Sequence, residues 1–283
     1  MKPIVYATDY SENSISALKM AHALSQKLET RLIVLHVFDL NVAMVTPMSM
    51  TYVKMEKAAF QKHHEKLEEF CMTQLGLLPD NKKIQVVVRE NALINDAIVD
   101  TVIDFDASLV IMGFKGKSAL KDVLVGSSTK GMIDKCPCPV LAVPASVKNF
   151  SLKKITYATD FEEADIQAVD WVVKTVASPF KATVDVFHIT TQDEYAGEDQ
   201  MQWFQEMLGQ KVSYKKMEFS MARSQDIFDT LLDHADQGGT DLLVMLEREK
   251  SSFLKSLTHT DLVKRMVSKG NVPLLSINKT FVH

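Results

Sequence analysis

Gly113, Gly116 and Gly126, the last followed at once by Ser127, Ser128 and Thr129, are the residues whose types and spacing could hold an anion. They come after Ala107-Ser-Leu-Val-Ile-Met112, an apolar run rich in branched side chains that reads as a strand buried on both faces. Glycines at the end of such a strand let the backbone approach a ligand without a Cβ in the way, and they reach φ > 0 conformations closed to other residues. The second cluster, Gly126 to Thr129, offers hydroxyls and free N–H groups where a helix begins. Both halves suit a polyphosphate. The same residues would also serve as a tight βα turn and a helix cap, and spacing alone does not choose between the two.

Other chemistries lack their residues. A dinucleotide fingerprint would need glycines in the first βα turn, and Thr8-Asp-Tyr-Ser-Glu-Asn13 has none. Gly116-Lys117-Ser118 has the tail of a P-loop, with the preceding glycine at the wrong distance. There is no Gly-x-Ser-x-Gly elbow. Cys136-Pro-Cys138-Pro is not a Cys-x-x-Cys pair, and with Cys71 the only other cysteine it reads as the start of a strand. Asp9 is the acidic residue that stands out, either as a ligand contact or as the cap of the turn into the first helix.

Gly-x2-Gly-x9-Gly-Ser, here Gly113, Gly116, Gly126 and Ser127, resembles the nucleotide-binding signature of the universal stress protein family in its ATP-binding branch. The resemblance implies a site for ATP, or AMP or ADP, in which Asp9 meets the ribose or a Mg²⁺ ion and the backbone at Val37 reads adenine. It implies further contacts from Ala7, Thr8, Met112, Lys115, Lys117 and Ser128, beside the four signature residues.

The elements that must position these residues occur twice. Tyr6-Ala-Thr-Asp9 returns as Tyr157-Ala-Thr-Asp160, Leu35-His36-Val37 as Phe187-His188-Ile189, and Cys138-Pro-Val-Leu141 as Val272-Pro-Leu-Leu275. The chain is a duplicated α/β unit, expected as domains 1–147 and 148–283. In the first, strands are expected at 4–8, 31–37, 83–88, 108–112 and 139–143, with helices at 13–27, 51–75, 93–103 and 127–133. Ser11 stands at the first N-cap, with Ile15, Leu18, Ala21, His22 and Leu28 on the buried face of that helix. In the long second helix Tyr52, Met55, Ala59, His63, Leu67 and Phe70 form the core face, and His63 has a surface or partly packed role. The second domain repeats the order, with strands at 153–158, 183–189, 212–219, 241–246 and 272–277. Such alternation predicts two tandem doubly wound domains, each a five-stranded parallel sheet with helices on both faces. The resemblance makes this fold adenine nucleotide alpha hydrolase-like.

At the three glycine positions the second half carries Leu246, Glu249 and His259, side chains expected to fill the space where backbone would approach phosphate. Charge points the same way. Residues 1–150 hold 17 Lys+Arg against 16 Asp+Glu, and the remainder 15 against 20. The second domain is therefore read as degenerate toward nucleotide. Between the second strand and the long helix, Asp39 to Met50 is too apolar for an exposed loop; it is either a lid over the adenine side or a contact with a partner surface.

No basic stripe marks a nucleic-acid binder, and no apolar run reaches the ~18 residues of a membrane span. No signal-peptide-like stretch precedes the first strand, and three thiols without a framework suit a reducing compartment, so the expected location is cytoplasmic. No general base or arginine for phosphoryl transfer stands out near the loop. The expectation is a nucleotide-binding regulatory module, with slow ATP hydrolysis and a nucleotide-independent adaptor as competing readings. The resemblance also implies that the last strands of the two domains pair in an internal pseudo-dimer, leaving any homodimer to another surface.

Overall fold

The computed structural model describes residues 2–40, 50–76, 83–115, 127–148, 150–191, 197–247 and 259–281. The first half runs β1 (Ile4–Ala7), α1 (Glu12–Lys27), β2 (Leu32–Phe38), α2 (Met50–Leu75), β3 (Ile84–Glu90), α3 (Ile94–Asp104), β4 (Leu109–Phe114), α4 (Ser127–Lys135) and β5 (Val140–Pro144). The second runs β6 (Lys154–Ala158), α5 (Glu163–Val172), a π-helical stretch Val173–Ala177 leading into α6 (Ser178–Phe180), and β7 (Thr183–Thr190). It continues with α7 (Gly197–Lys211), β8 (Met217–Arg223), α8 (Ile227–Gln237), β9 (Leu242–Glu247), α9 (His259–Lys269) and β10 (Leu274–Asn278).

The strands make one ten-stranded sheet in the order β3-β2-β1-β4-β5-β10-β9-β6-β7-β8. Each half contributes five parallel strands, as apolar strands separated by helices require. The halves meet in an antiparallel seam, with Leu141 opposite Leu275 and Ala142 opposite Leu274. The seam covers two leucine-rich edges that would otherwise be open to pairing with another chain. Lys264 of α9 bridges to Asp134 of α4 at 2.7 Å across it.

The sheet is covered on both faces. One apolar layer includes Leu18 of α1, Leu67 of α2, Ile166 of α5 and Phe204 of α7; the other includes Ile98 of α3, Met132 of α4, Leu231 of α8 and Met266 of α9. The buried face of α1 is Ser14, Ala17, Leu18, Met20, Ala21, Leu24 and Ser25, while the expected Ile15 and His22 lie half-buried at its margins. In α2 the expected core face is buried at Leu67 and packs against the core at Phe70, with Cys71 added to it; Tyr52, Ala59 and His63 are half-buried and Met55 is exposed, as are Met50 and Val53. A 26-residue helix is about 39 Å long against about 23 Å for β3, so its first turns overrun the sheet. Strand β8 starts at Met217 and not at 212, because the Val212 N–H still donates to Leu208 and closes α7.

Candidate functional site

In each half, strand order reverses beside the first strand, and the crevice outside the carboxyl ends of the strands at such a point is where doubly wound folds take ligands. The turn there is built by side chains. Tyr10 and Phe161, each one residue past the strand-end aspartate, take positive φ (64° and 63°), which is costly for an aromatic residue. Thr8 Oγ1 accepts the Tyr10 N–H at 3.0 Å and Thr159 Oγ1 the Phe161 N–H at 2.9 Å. Each aromatic ring packs on a strand histidine with centroids 4.1 Å apart, Tyr10 on His36 and Phe161 on His188. Each histidine donates Nδ1–H to the threonine carbonyl at 2.8 Å. The duplicated Tyr-Ala-Thr-Asp and Leu/Phe-His motifs are thus one device that holds the aspartate at the mouth of the crevice.

In the first domain this crevice is a cleft of about 360 Å³. Its floor is Ala7, Leu35, Val37 and Met112; Ile94 and Ile98 form one wall; and the N-terminal turns of α1 and α4 bring Ser11, Asn13, Ser128 and Thr129 to it. Asp9 and Lys115 are exposed at its rim. Asp9 uses Oδ1 to accept the Ser11 N–H at 2.9 Å, so it does cap the turn, and its second oxygen is left for a donor or cation. Ser11 sits at the N-cap with no side-chain bond to the helix. Thr129 Oγ1 donates to Gly113 O at 3.4 Å, tying the start of α4 to β4.

Of the residues singled out from the sequence, Ala7, Thr8, Asp9, Val37, Met112, Gly113, Lys115 and Ser128 line the cleft together. Ser127 begins α4. Gly116, Lys117 and Gly126 lie outside the described residues, as do residues 41–49 of the Met-rich segment and 248–258, which include Glu249. Sequence reasoning missed Ser11, Asn13, Ile94 and Ile98. The last two were legible as the start of an amphipathic helix following a strand, had that helix been assigned to the cleft side.

Gly113 differs from expectation in its reason. It lies inside β4, paired with Val143, and a Cβ there would meet Asn13 O at 2.5 Å and Ser14 Cα at 2.8 Å. Its missing side chain admits the first turn of α1 against the sheet edge, which sets the width of the cleft.

The second domain keeps a crevice at the same place. Of the three residues expected at the glycine positions, Leu246 is buried, Glu249 lies outside the described residues and so does the His259 side chain. The described residues around the equivalent crevice leave a space of about 360 Å³, lined by Ala158, Thr159, Asp160, Phe187, Ile189 and Met245, with residues of α8 and α9.

Beneath the first cleft, His63 of α2 is turned inward. Its ring stacks on Phe38 at 4.5 Å and on His36 at 5.0 Å, and its Nδ1 is buried without a hydrogen-bond partner. Its neighbour His64 points out and faces Glu68 at 3.7 Å. Desolvation lowers the pKa of both His36 and His63; for His36 the backbone bond to Thr8 works the other way, and for His63 nearby Lys66 and Lys62 lower it further. Histidines with depressed folded pKa values bind more protons when unfolded. Stability is then full above the unfolded value of about 6.5 and falls as pH drops below it. Urea midpoints measured from pH 7.5 to 5 should therefore decline, and His63→Phe should flatten that decline; an unchanged slope would mean that His63 carries none of it.

The fold is that of a doubly wound α/β protein with a switch-point cleft in each half. A profile of the Universal stress protein family matches residues 1–144 and again residues 151–277, and the chain belongs to that family as a tandem of two such domains. A universal stress protein structure from Archaeoglobus fulgidus superposes with a TM-score of 0.71 over 98% of both chains, at 17% identity, a likeness of fold. Universal stress protein MJ0577 of Methanocaldococcus jannaschii is 29% identical over 154 residues, covering 50% of this chain and 94% of that protein. A universal stress protein of Thermus aquaticus is 28% identical over 147 residues, 50% of this chain and 98% of its own. Among the described residues no helix is long and apolar enough to cross a membrane.

Proposed function

We propose that the first domain binds an adenine nucleotide, ATP or its di- or monophosphate, and that the protein is a binding module in which occupancy of this one site shifts the conformation of neighbouring segments. The observation that carries the reading is the cleft itself. Its apolar floor of Ala7, Leu35, Val37 and Met112 suits a planar base, and the first turn of α4, with Ser128 and Thr129 and Lys115 nearby, suits phosphate. Asp9 faces the ribose or a Mg²⁺ ion through its free oxygen, and the backbone at Val37 reads the base. Gly116, Lys117, Gly126 and Ser127 complete the phosphate side. Nothing in the described cleft offers a positioned general base, so turnover should fall far below ordinary enzyme rates of about 1–10³ s⁻¹. The test pairs ATP affinity with ADP release. Ile94→Trp, which narrows the mouth at a position 46% exposed, should weaken ATP binding by tenfold or more while the protein stays folded. Wild-type affinity in that variant, or steady-state hydrolysis at enzyme rates that Asp9→Asn removes, would overturn the reading.

The second domain is read as degenerate toward nucleotide, and the two domains, bounded near residue 147, as an internal pseudo-dimer joined at β5 and β10. Residues 1–147 expressed alone should then self-associate through the freed edge of β5, and Leu141→Pro should prevent it by removing a ladder N–H. Sedimentation of the fragment at rising concentration checks this; a strict monomer contradicts it.

A further inference from the structure

We infer that the crevice of the second domain is a ligand site in its own right, one that takes a small molecule with an apolar, ring-sized body, one carboxylate-like anionic group and a hydrogen-bond donor, and that excludes polyphosphates. The inference is independent of whether the first domain holds nucleotide.

Its base is apolar and buried: Phe187 and Ile189 from β7, Met245 from β9, and Phe228 and Leu231 from α8. Phe187 is fixed by stacking on His234, rings 3.7 Å apart and 7° from parallel. His234 in turn bonds the buried Asp185 at 3.1 Å, so this wall rests on a rigid charged cluster. Such a surface at about 360 Å³ is at the small end of ligand pockets.

The polar groups sit at the rim. Arg265 of α9 lies over the Phe228 ring, its guanidinium carbon 4.0 Å from the centroid, and is exposed. It is in ion pair with none of the described carboxylates. A guanidinium over a ring face uses none of its N–H donors there, which leaves them for a carboxylate. Across the rim stand Gln225 and Asp226, acceptors for a donor group on the same ligand, with Asp160 beside them. Asp226 Oδ1 caps α8 by accepting the Asp229 N–H at 3.0 Å, which leaves its other oxygen.

The phosphate half of the first cleft has been rebuilt. With Pro139 and Pro273 in register before the last strands, Leu262 takes the place of Ser128, and Arg265 takes that of Gly131. A Cβ at Gly131 would meet the Asn95 side chain at 2.2 Å; in the second domain Phe228 replaces Asn95, and the arginine lies on its face. Among the described lining residues, one cation beside the carboxylates of Asp160 and Asp226 accommodates one negative charge better than three or four.

The experiment uses two dyes on the full chain. The sulfonate 1-anilinonaphthalene-8-sulfonate has the apolar body, the anion and an N–H, and N-phenyl-1-naphthylamine lacks only the anion. The sulfonate should bind at one saturable site that Ile227→Trp, at a position 40% exposed on the pocket mouth, removes and Ile94→Trp in the first cleft does not. Arg265→Met should weaken the sulfonate about tenfold and leave the neutral dye unchanged, with thermal midpoints confirming folded variants. ATP at millimolar concentration should not displace the sulfonate from the Ile94→Trp protein. Equal loss of both dyes in Arg265→Met, retention in Ile227→Trp, or displacement by ATP would each overturn the inference. Failure of nucleotide binding in the first domain alters none of these readings.

Discussion

Replacing Gly113 with leucine, the residue the second domain carries there, should abolish nucleotide binding and cost about 1–3 kcal/mol of stability. The new Cβ would lie within 2.5–2.8 Å of the backbone at Asn13 and Ser14, and backbone gives way less readily than the end of a flexible side chain. Helix α1 has to retreat from β4, taking Ser11 and the Asp9 turn with it. Gly113→Ala carries the same first clash with less bulk and should show an intermediate effect. Urea denaturation with calorimetric titration of each variant checks both parts; wild-type nucleotide affinity in the leucine variant would show that the close packing of α1 does not shape the site.

A second large effect is expected at Asp165. This carboxylate is 0% exposed, and its two oxygens accept the hydroxyls of Tyr157 and Thr159, each at 2.8 Å, and the N–H groups of Asp160 and Glu162 at 3.2 and 3.1 Å. Alanine there would strip four donors of their acceptor in a dry interior, which we expect to cost about 3–5 kcal/mol and to lower Tm by roughly 10 °C. The first domain solves the same problem with a neutral residue. Tyr6 Oη donates to Ser14 O at 2.7 Å, and Thr8 Oγ1 to Ser14 Oγ at 3.0 Å. Asp165→Ser should therefore recover part of the loss that Asp165→Ala causes. Equal destabilisation by both, read from thermal unfolding, would mean that the charge and not the bonding geometry is what the turn requires.

The contrast between Ser14 and Asp165 shows where the sequence stops being readable. Their strands, the duplication and the strand-end aspartates were legible because apolar runs repeat and because Tyr-Ala-Thr-Asp occurs twice. Cleft residues on or just after strands, from Ala7 to Lys115, were named through the family resemblance and fall on that frame. A serine and an aspartate in the first turn of two helices look like ordinary solvated helix starts, and only the fold reveals that they are buried acceptors. The same holds for Asp185, Ser220 and His234, which are far apart in the chain and meet within 2.6–3.1 Å across two strands and a helix. Gly113 was singled out for the right place and for a different physical reason, since what crowds it is α1. In the second crevice the residues that replace the glycines lie largely outside the described ones, and what the sequence did not reveal is that Phe228, Leu262 and Arg265 line a pocket of different character beside them. Periodicity can place such residues on a helix face but not decide whether that face closes on its neighbour.

The central claim, one nucleotide-competent domain beside one that is not, is tested most directly by isothermal calorimetry of MgATP into the full chain. The account predicts a stoichiometry of one per chain, lost in Ile94→Trp and retained in Ile227→Trp. Two sites per chain, no binding at all, or loss in Ile227→Trp with retention in Ile94→Trp would contradict it.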